Sequence, residues 1–188
     1  MTHPTFSEKD SLRVIQEMIA HAKKDAQSDR FYYLIWGWLT LIASLGHFVL
    51  LKVGYAYPYL VWSLMLLGGV ATVLRSRQQQ KTSRVKTYVD RFIAHLWIAI
   101  SAGILVSLAA GATILGYQVV YPFLIILFGI GIYMSGVIFR FRPLIIGGIL
   151  NWVIALTAFY VSFDIQLLLL ALSMVVSYLI PGYLEKAS

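Results

Sequence analysis

The stretch VYPFLIILFGIGIYMSGVIF, residues 120–139, decides the fold, because its twenty residues include no Asp, Glu, Lys or Arg. The hydrocarbon core of a bilayer is about 30 Å thick and is crossed by roughly 20 apolar residues in an α-helix. Within lipid, a continuous segment of this kind satisfies its backbone hydrogen bonds by forming a helix. Residues 120–139 therefore predict a transmembrane helix.

Five further runs have the same character, near 31–51, 57–74, 92–111, 143–161 and 165–184. The composition agrees, since the chain is 60% hydrophobic and 12% charged, whereas a soluble domain carries about 25% charged residues. The chain also has no cysteine, which excludes a disulfide-stapled secreted module. We predict an all-α polytopic membrane protein with six spans. Pro181 predicts that the last helix stops or kinks near Ile180.

The basic residues lie almost entirely on one side of these spans. Lys52 is the exception, and the other fourteen of the fifteen Lys and Arg residues fall in the N-terminal segment, the loops near 75–91 and 140–142, and the C-terminal tail. Loops rich in Lys and Arg stay in the cytoplasm, so we expect both termini to be cytoplasmic. This distribution also accounts for the net charge of +7 without a nucleic acid partner.

An internal repeat is suggested by two similar span starts. Tyr57–Leu60 reads YPYL and Tyr121–Leu124 reads YPFL, 64 residues later, and both following spans end in a pair of arginines. We interpret the chain as three helical hairpins in series, which favours parallel repeats over the inverted repeats of many transporters.

The segment 1–30 forms a separate unit ahead of the bundle at 31–188. Within it, residues 7–24 predict an amphipathic helix, because the apolar residues recur at helical spacing on one face. Three roles are open for this cytoplasmic helix. The first is to lie in the lipid headgroup plane, the second is to pack on the ends of the bundle, and the third is to dock on a protein partner.

Small residues recur every four positions in the third span, at Ala99, Gly103, Ser107 and Gly111. Such a row lets another helix backbone approach closely. The first interpretation is packing inside the bundle, and the alternative is the seam of a homodimer.

Asn151 is the most strongly polar residue deep inside a span. Its amide is costly in hydrocarbon unless it is paired, so we expect it to face inward. The candidate neighbours are Thr40, Ser44, Ser107 and Ser135. Asn151 either makes an interhelical hydrogen bond or lines a polar path for a solute.

Catalytic and metal-binding patterns are missing from the sequence. There is no His-Glu-x-x-His motif, no Gly-rich phosphate loop and no Gly-x-Ser-x-Gly elbow. His47 and His95 are expected at different depths, roughly 15–20 Å apart, which is too far for one shared metal ion. We therefore predict no cofactor and no metal.

Four motifs resemble a family of small six-span membrane proteins of Bacteroidota. They are Trp36–Leu39 (WGWL), Tyr88–Phe92 (YVDRF), Arg142–Gly148 (RPLIIGG) and Ile180–Leu184 (IPGYL). The start of the N-terminal helix, Ser11 to Ile19, resembles the same family, so the resemblance covers almost the whole chain. It implies a bacterial inner-membrane location and carries no assigned activity.

The leading functional hypothesis is a non-enzymatic accessory or regulatory membrane protein that acts through its basic cytoplasmic face. Its contacts would be anionic lipid headgroups or a protein partner. The residues expected to make these contacts are Arg75, Arg77, Lys81, Arg84, Lys86, Arg140 and Arg142. The alternative is a small channel or carrier for a neutral or apolar solute, lined by Asn151. A lipid-modifying enzyme using His95 and Asp90 is disfavoured, because residues five apart do not share a helix face.

Overall fold

The computed structural model describes residues 8–82 and 88–184, and within these ranges it describes no side chains for 8–29, 79–82, 88–90 and 114–115. Over the described ranges the chain is helical and contains no strand. The α-helices are α1 (Glu8–Lys52), α2 (Leu64–Thr82), α3 (Tyr88–Ala110), α4 (Val120–Ile138), α5 (Arg142–Ala158), α6 (Phe163–Met174) and α7 (Ile180–Leu184). Two 3₁₀ turns, Pro58–Ser63 and Tyr117–Val119, precede α2 and α4, and two π-helical turns, Gly111–Leu115 and Val175–Leu179, follow α3 and α6.

Five helical stretches of the described chain are long and apolar enough to cross a bilayer. They are Arg30–Lys52, Pro58–Gln78, Arg91–Thr113, Tyr117–Ile138 and Phe163–Leu184. A sixth apolar helix, Arg142–Ala158, has 17 residues, which is at the lower limit for a span. The architecture is therefore that of a multi-pass helical membrane protein, and its apolar helices fall where the six runs of sequence predict them.

The two ends of the bundle differ in charge. Arg30 and Arg75 lie at one end together with the C-terminus of the last helix, since Arg30 contacts Gly182 and Arg75 contacts Phe31. The turn between α4 and α5, with Arg140 and Arg142, lies at the same end, and we call this the basic end. The opposite end carries Lys52, which forms an ion pair with Asp164 at 2.6 Å.

The centre of the bundle is formed by α4, α6 and the apolar part of α1, with α5 packed against α4. In the most apolar windows of Tyr117–Ile138 and Phe163–Leu184, 50% and 56% of residues are buried, against 6% in Pro58–Gln78 and in Arg91–Thr113. Helices α2 and α3 therefore flank the core and expose most of their apolar surface. Fully buried side chains at the centre include Ile125, Ile132, Leu167, Leu170 and Met174.

The most extensive helix pairing joins α4 to α5. Glycines allow this close approach: a Cβ atom on Gly136 would lie 2.7 Å from the backbone N of Ile145, and one on Gly148 would lie 2.8 Å from the backbone N of Tyr133. Helices pack in lipid through such van der Waals contact, because lipid supplies no hydrophobic force between them. This pair crosses the boundary between the second and third predicted hairpins, so the three-hairpin grouping stays a prediction.

Helix α1 is continuous from Glu8 to Lys52 and joins the predicted N-terminal helix to the first span without a break. Ser7 lies outside the described residues, as do the side chains of 8–29. The amphipathic character of residues 7–24 therefore stays a prediction. The backbone places 22 helical residues ahead of the apolar stretch that begins at Arg30, which corresponds to about 33 Å of helix.

The turns after α1 and α4 share one backbone design. In each, the N–H two residues beyond the helix cap bonds to a carbonyl five residues back: Tyr55 to Leu50 at 3.0 Å, and Phe141 to Gly136 at 2.9 Å. This is the Schellman motif, which needs a left-handed residue just after the cap. Gly54 fills that position in the first turn with φ 75°, whereas Arg140 fills it in the second with φ 54°.

Arg140→Gly should stabilise the fold, because a side chain in the left-handed region costs about 1–2 kcal/mol and glycine avoids this strain. We expect a higher midpoint of thermal unfolding in detergent. Gly54→Ala is the matched control at the equivalent position and should lower the midpoint. A lower midpoint for Arg140→Gly would mean that contacts of the arginine outweigh the backbone strain.

Candidate functional site

A short hydrogen-bonded chain crosses the interior of the bundle at Asn151. The Asn151 Nδ2 donates to the Ser177 Oγ at 3.1 Å, and the Ser177 Oγ donates to the Ser173 carbonyl oxygen at 2.6 Å. All three residues have no exposed surface. The chain therefore ties α5 to the end of the last span and leaves no water-accessible surface on Asn151.

Not all buried polar groups of the interior are satisfied. The Asn151 Oδ1 and the Oγ atoms of Ser135 and Ser173 are buried and have no hydrogen-bond partner among the described residues. Buried polar atoms without a partner are uncommon in native structures. These unpaired oxygens are the observation that supports a polar role for the interior of the bundle.

Ser177 belongs to the π-helical turn Val175–Leu179, where the N–H of Ile180 bonds to the carbonyl of Val175, five residues back. Pro181 follows at once, and a proline has no N–H for the α-helical bond to residue 177. The sequence predicted that the helix stops or kinks near Ile180, and the structure shows that it does not stop there. Its hydrogen bonding changes one turn earlier, and α7 then continues to Leu184.

The π turn is held between two glycines on neighbouring helices. A Cβ atom on Gly147 of α5 would lie 2.9 Å from the Ser177 Cα, and one on Gly37 of α1 would lie 2.9 Å from the Tyr178 Cβ. Tyr178 is buried and its ring meets the rings of Tyr33, Trp97 and Phe128 edge-on, at 5.9–6.3 Å. The π turn is thus the point at which α1, α3, α4 and α5 meet the last span.

The structure does not link the other predicted interior residues to Asn151 by hydrogen bonds. The Ser44 Oγ donates to the Leu167 carbonyl at 2.5 Å, and the Thr40 Oγ1 faces the Met65 sulfur at 3.9 Å. The Ser107 Oγ donates to the Gly103 carbonyl of its own helix at 2.8 Å. Asn151 instead bonds to Ser177, a residue that the sequence analysis did not select, because serine is common at helix contacts and carries no motif.

The row of small residues in α3 divides between two faces. Gly103 lies against Leu127 of α4, where an added Cβ atom would be 3.2 Å from the leucine methyl groups, and Gly111 lies against Val120. Ser107 is half-buried, while Ala99 is exposed. Gly103 and Gly111 are therefore engaged in packing within the bundle, and Ala99 points away from it.

A second polar feature, near the opposite end, was not predicted from the sequence. The His47 Nδ1 lies 2.9 Å from the Trp62 Nε1 and 3.1 Å from the Tyr121 Oη, and the ring of Phe163 packs beside it at 5.8 Å. An indole N–H can only donate, so Nδ1 accepts and the histidine carries its proton on Nε2. The four residues come from four elements, and no spacing in the sequence relates them.

Gln166 joins two elements at the same end and was also not predicted from the sequence. Its Nε2 donates to the carbonyls of Gln118 at 2.7 Å and Ala158 at 3.0 Å, so one side chain joins the start of α4 to the α5–α6 connection. His95, by contrast, is exposed, and its Nδ1 contacts the Arg91 carbonyl of its own helix at 2.7 Å.

At the basic end, arginines lie on aromatic rings. The Arg75 guanidinium lies 5.3 Å from the Phe31 ring and the Arg30 guanidinium 5.8 Å from the Tyr183 ring. The remaining predicted contact residues that the structure describes, Arg77, Arg140 and Arg142, are exposed. The side chain of Lys81 and the whole of Arg84 and Lys86 lie outside the described residues.

Comparisons with protein families, with curated proteins and with solved structures find no match for this chain. The resemblance to a Bacteroidota family therefore stays a prediction, and functional inference rests on the geometry above.

Gly147→Ala should destabilise the bundle by about 1–3 kcal/mol, because the added methyl would press on the Ser177 backbone, which cannot move without shifting the π turn. Thermal unfolding in detergent measures this as a lower midpoint. Gly69→Ala is the matched control, since nothing lies within 4 Å of its added Cβ atom, and alanine is favoured over glycine within a helix by about 1 kcal/mol. Equal effects at the two sites would contradict the clamping of the π turn.

Proposed function

We propose that the protein is a non-enzymatic accessory membrane protein, in which a packed helical bundle serves as the scaffold for a functional basic end. The observation that carries this proposal is the complete burial of Asn151, the deepest strongly polar residue in the spans, in a hydrogen bond to Ser177. The predicted spans contain no carboxylate or fixed cation, although such groups are the usual mark of ion pathways and proton relays inside a membrane. The charged groups available for interaction are concentrated at the basic end.

The charge pairing at the opposite end strengthens this asymmetry. Lys52, the one basic residue outside the basic side of the sequence, is paired with Asp164. Arg77, Arg140 and Arg142 expose their side chains at the basic end. We propose that this end faces the cytoplasm of a bacterial inner membrane, with both termini on that side, because basic loops are retained there.

The N-terminal part of α1 supports a role outside the bilayer. Residues 8–29 continue the first span as helix beyond Arg30, over about 33 Å. Arg30 anchors the base of this extension, because its Nε donates to the Gly182 carbonyl at 2.9 Å. We propose that residues 8–29, which we call the arm, present a helical surface to a protein partner.

The alternative function is a channel or carrier for a neutral solute. The unpartnered Oδ1 of Asn151 favours it, since an acceptor buried without a donor is available to bind a hydroxyl or amide group of a passing solute. This function requires a second state in which the contact between α5 and the π turn opens.

Substitution of Asn151 separates the two functions. Asn151→Leu is nearly isosteric and removes both a modest hydrogen bond and an unpaired oxygen, so we expect a stability change within about 1 kcal/mol. For the scaffold, the glycerol and urea permeability of proteoliposomes should equal that of protein-free liposomes with either the wild type or Asn151→Leu. Permeability that the wild type raises and Asn151→Leu abolishes would establish the solute path and contradict the scaffold.

Removal of residues 1–29 tests the arm. We expect the bundle to remain folded, with an unchanged thermal midpoint, and the partner cross-linked to the full chain in native membranes to be lost. A chain whose residues 8–29 are replaced by an unrelated helix of equal length is the matched control. It should also lose the partner, because the side chains of the arm and not its length make the contact. Unchanged cross-linking in both variants would contradict a role for the arm.

A further inference from the structure

One side of α1 carries an uncovered apolar stripe. The stripe consists of residues spaced alternately four and three apart, which places them on one face of a helix: Phe31, Ile35, Trp38, Ile42, Leu45 and Val49. Trp38, Ile42, Leu45 and Val49 are 40–54% exposed. The stripe runs from the basic end towards the opposite end and is long enough to lie along an acyl chain.

An arginine closes each side of the stripe at the basic end. Arg75 reaches over from α2 to the ring of Phe31, the first residue of the stripe. Arg30, one position before Phe31, lies over Tyr183, and the Tyr183 Oη accepts a hydrogen bond from the Trp38 Nε1 at 3.2 Å. The two guanidiniums therefore flank the same end of one apolar surface.

The charge at this position is not balanced within the described chain. Neither guanidinium pairs with a carboxylate there, and Asp164, the one acidic side chain that the structure describes, is paired at the opposite end. The Arg75 Nε is also buried without a hydrogen-bond partner among the described residues. The Arg30 Nε is already bonded to the Gly182 carbonyl, so the terminal Nη groups of the two guanidiniums are the donors for a phosphate.

We propose that Arg75 and Arg30 bind the phosphate of an anionic phospholipid, with one acyl chain lying on the stripe below them. Charge complementarity selects an anionic ligand, and the continuous apolar surface selects a ligand with a long chain over a soluble phosphate. The inference deepens the proposed role of the basic end and rests on it, since it names the lipid that this end recognises.

The test is native mass spectrometry of the full chain in neutral detergent, titrated with phosphatidylglycerol and with phosphatidylcholine of the same acyl chains. We expect phosphatidylglycerol to bind at least tenfold more tightly than phosphatidylcholine. Arg75→Gln should weaken phosphatidylglycerol binding by about tenfold, as expected for loss of a charged hydrogen bond. Arg91→Gln is the matched control, because it removes the same charge from an exposed position at the start of α3, and should change binding less than twofold.

Three outcomes would overturn the proposal. Equal losses for Arg75→Gln and Arg91→Gln would show general attraction to the basic end. Equal affinity for glycerol phosphate and phosphatidylglycerol would show a soluble-phosphate site, and a stable dimer that excludes added lipid would show that a second copy covers the stripe.

A replacement variant is available for Arg75→Gln. If Arg75→Gln does not fold, Phe31→Leu replaces it, because this variant keeps the charge, removes the ring that positions it and should weaken binding about threefold.

The arm is tested by cross-linking and the lipid site by titration, so the two proposals can fail separately. Loss of lipid selectivity with an intact cross-link would reject the lipid site alone, and the reverse would reject the arm alone.

Discussion

The contact between the π turn Val175–Leu179 and the glycines of its neighbours is the constraint on which the bundle depends. A π turn is wider than an α-helical turn, and Gly37 and Gly147 supply the space for it on two sides. Pro181 accounts for the position of the turn, since proline has no N–H to donate an α-helical hydrogen bond to the Ser177 carbonyl. Tyr178 then points from the turn into rings of α1, α3 and α4, so one local irregularity fixes the place of four other helices.

Packing outweighs hydrogen bonding at this contact. An interhelical hydrogen bond in a membrane protein contributes about 0.6 kcal/mol on average, so the bond from Asn151 to Ser177 supplies a small part of the stability. The bond instead fixes the register between α5 and the last span. Asn151 lies one helical turn from Gly147, so it reaches Ser177 only when Gly147 faces the π turn. The close approaches at Gly136 and Gly148 act in the same way between α4 and α5.

The sequence was sufficient to predict the helical spans, because crossing lipid requires long uncharged runs and such runs are visible in a single chain. The burial of Asn151 followed from the same reasoning, as an unpaired amide is costly in hydrocarbon. Its partner did not follow, since Ser177 is distinguished only by a π turn that depends on tertiary packing. The ring cluster at His47 and the role of Gln166 were missed for a related reason. His47 contacts residues 15 to 116 positions away, and Gln166 bonds to Gln118, 48 positions away, so these residues become neighbours only in the folded bundle. The continuity of α1 through residue 30 was also not predicted, because the change from polar to apolar composition suggested a boundary where the helix has none.

Charge lies at the ends of the bundle, whereas the closest packing lies in its interior, so the two regions depend on different interactions. The interior uses small residues, aromatic rings and a few hydroxyl and amide groups, all without net charge. The opposite end neutralises its single lysine with Asp164, whereas Arg75 and Arg30 lie on the rings of Phe31 and Tyr183 and pair with no carboxylate among the described residues. An aromatic ring holds a guanidinium without neutralising it, and a carboxylate would cancel the field that attracts a phosphate. Positioning by rings therefore preserves the capacity of this end to bind an anion, and it does so at the point where the uncovered stripe of α1 begins.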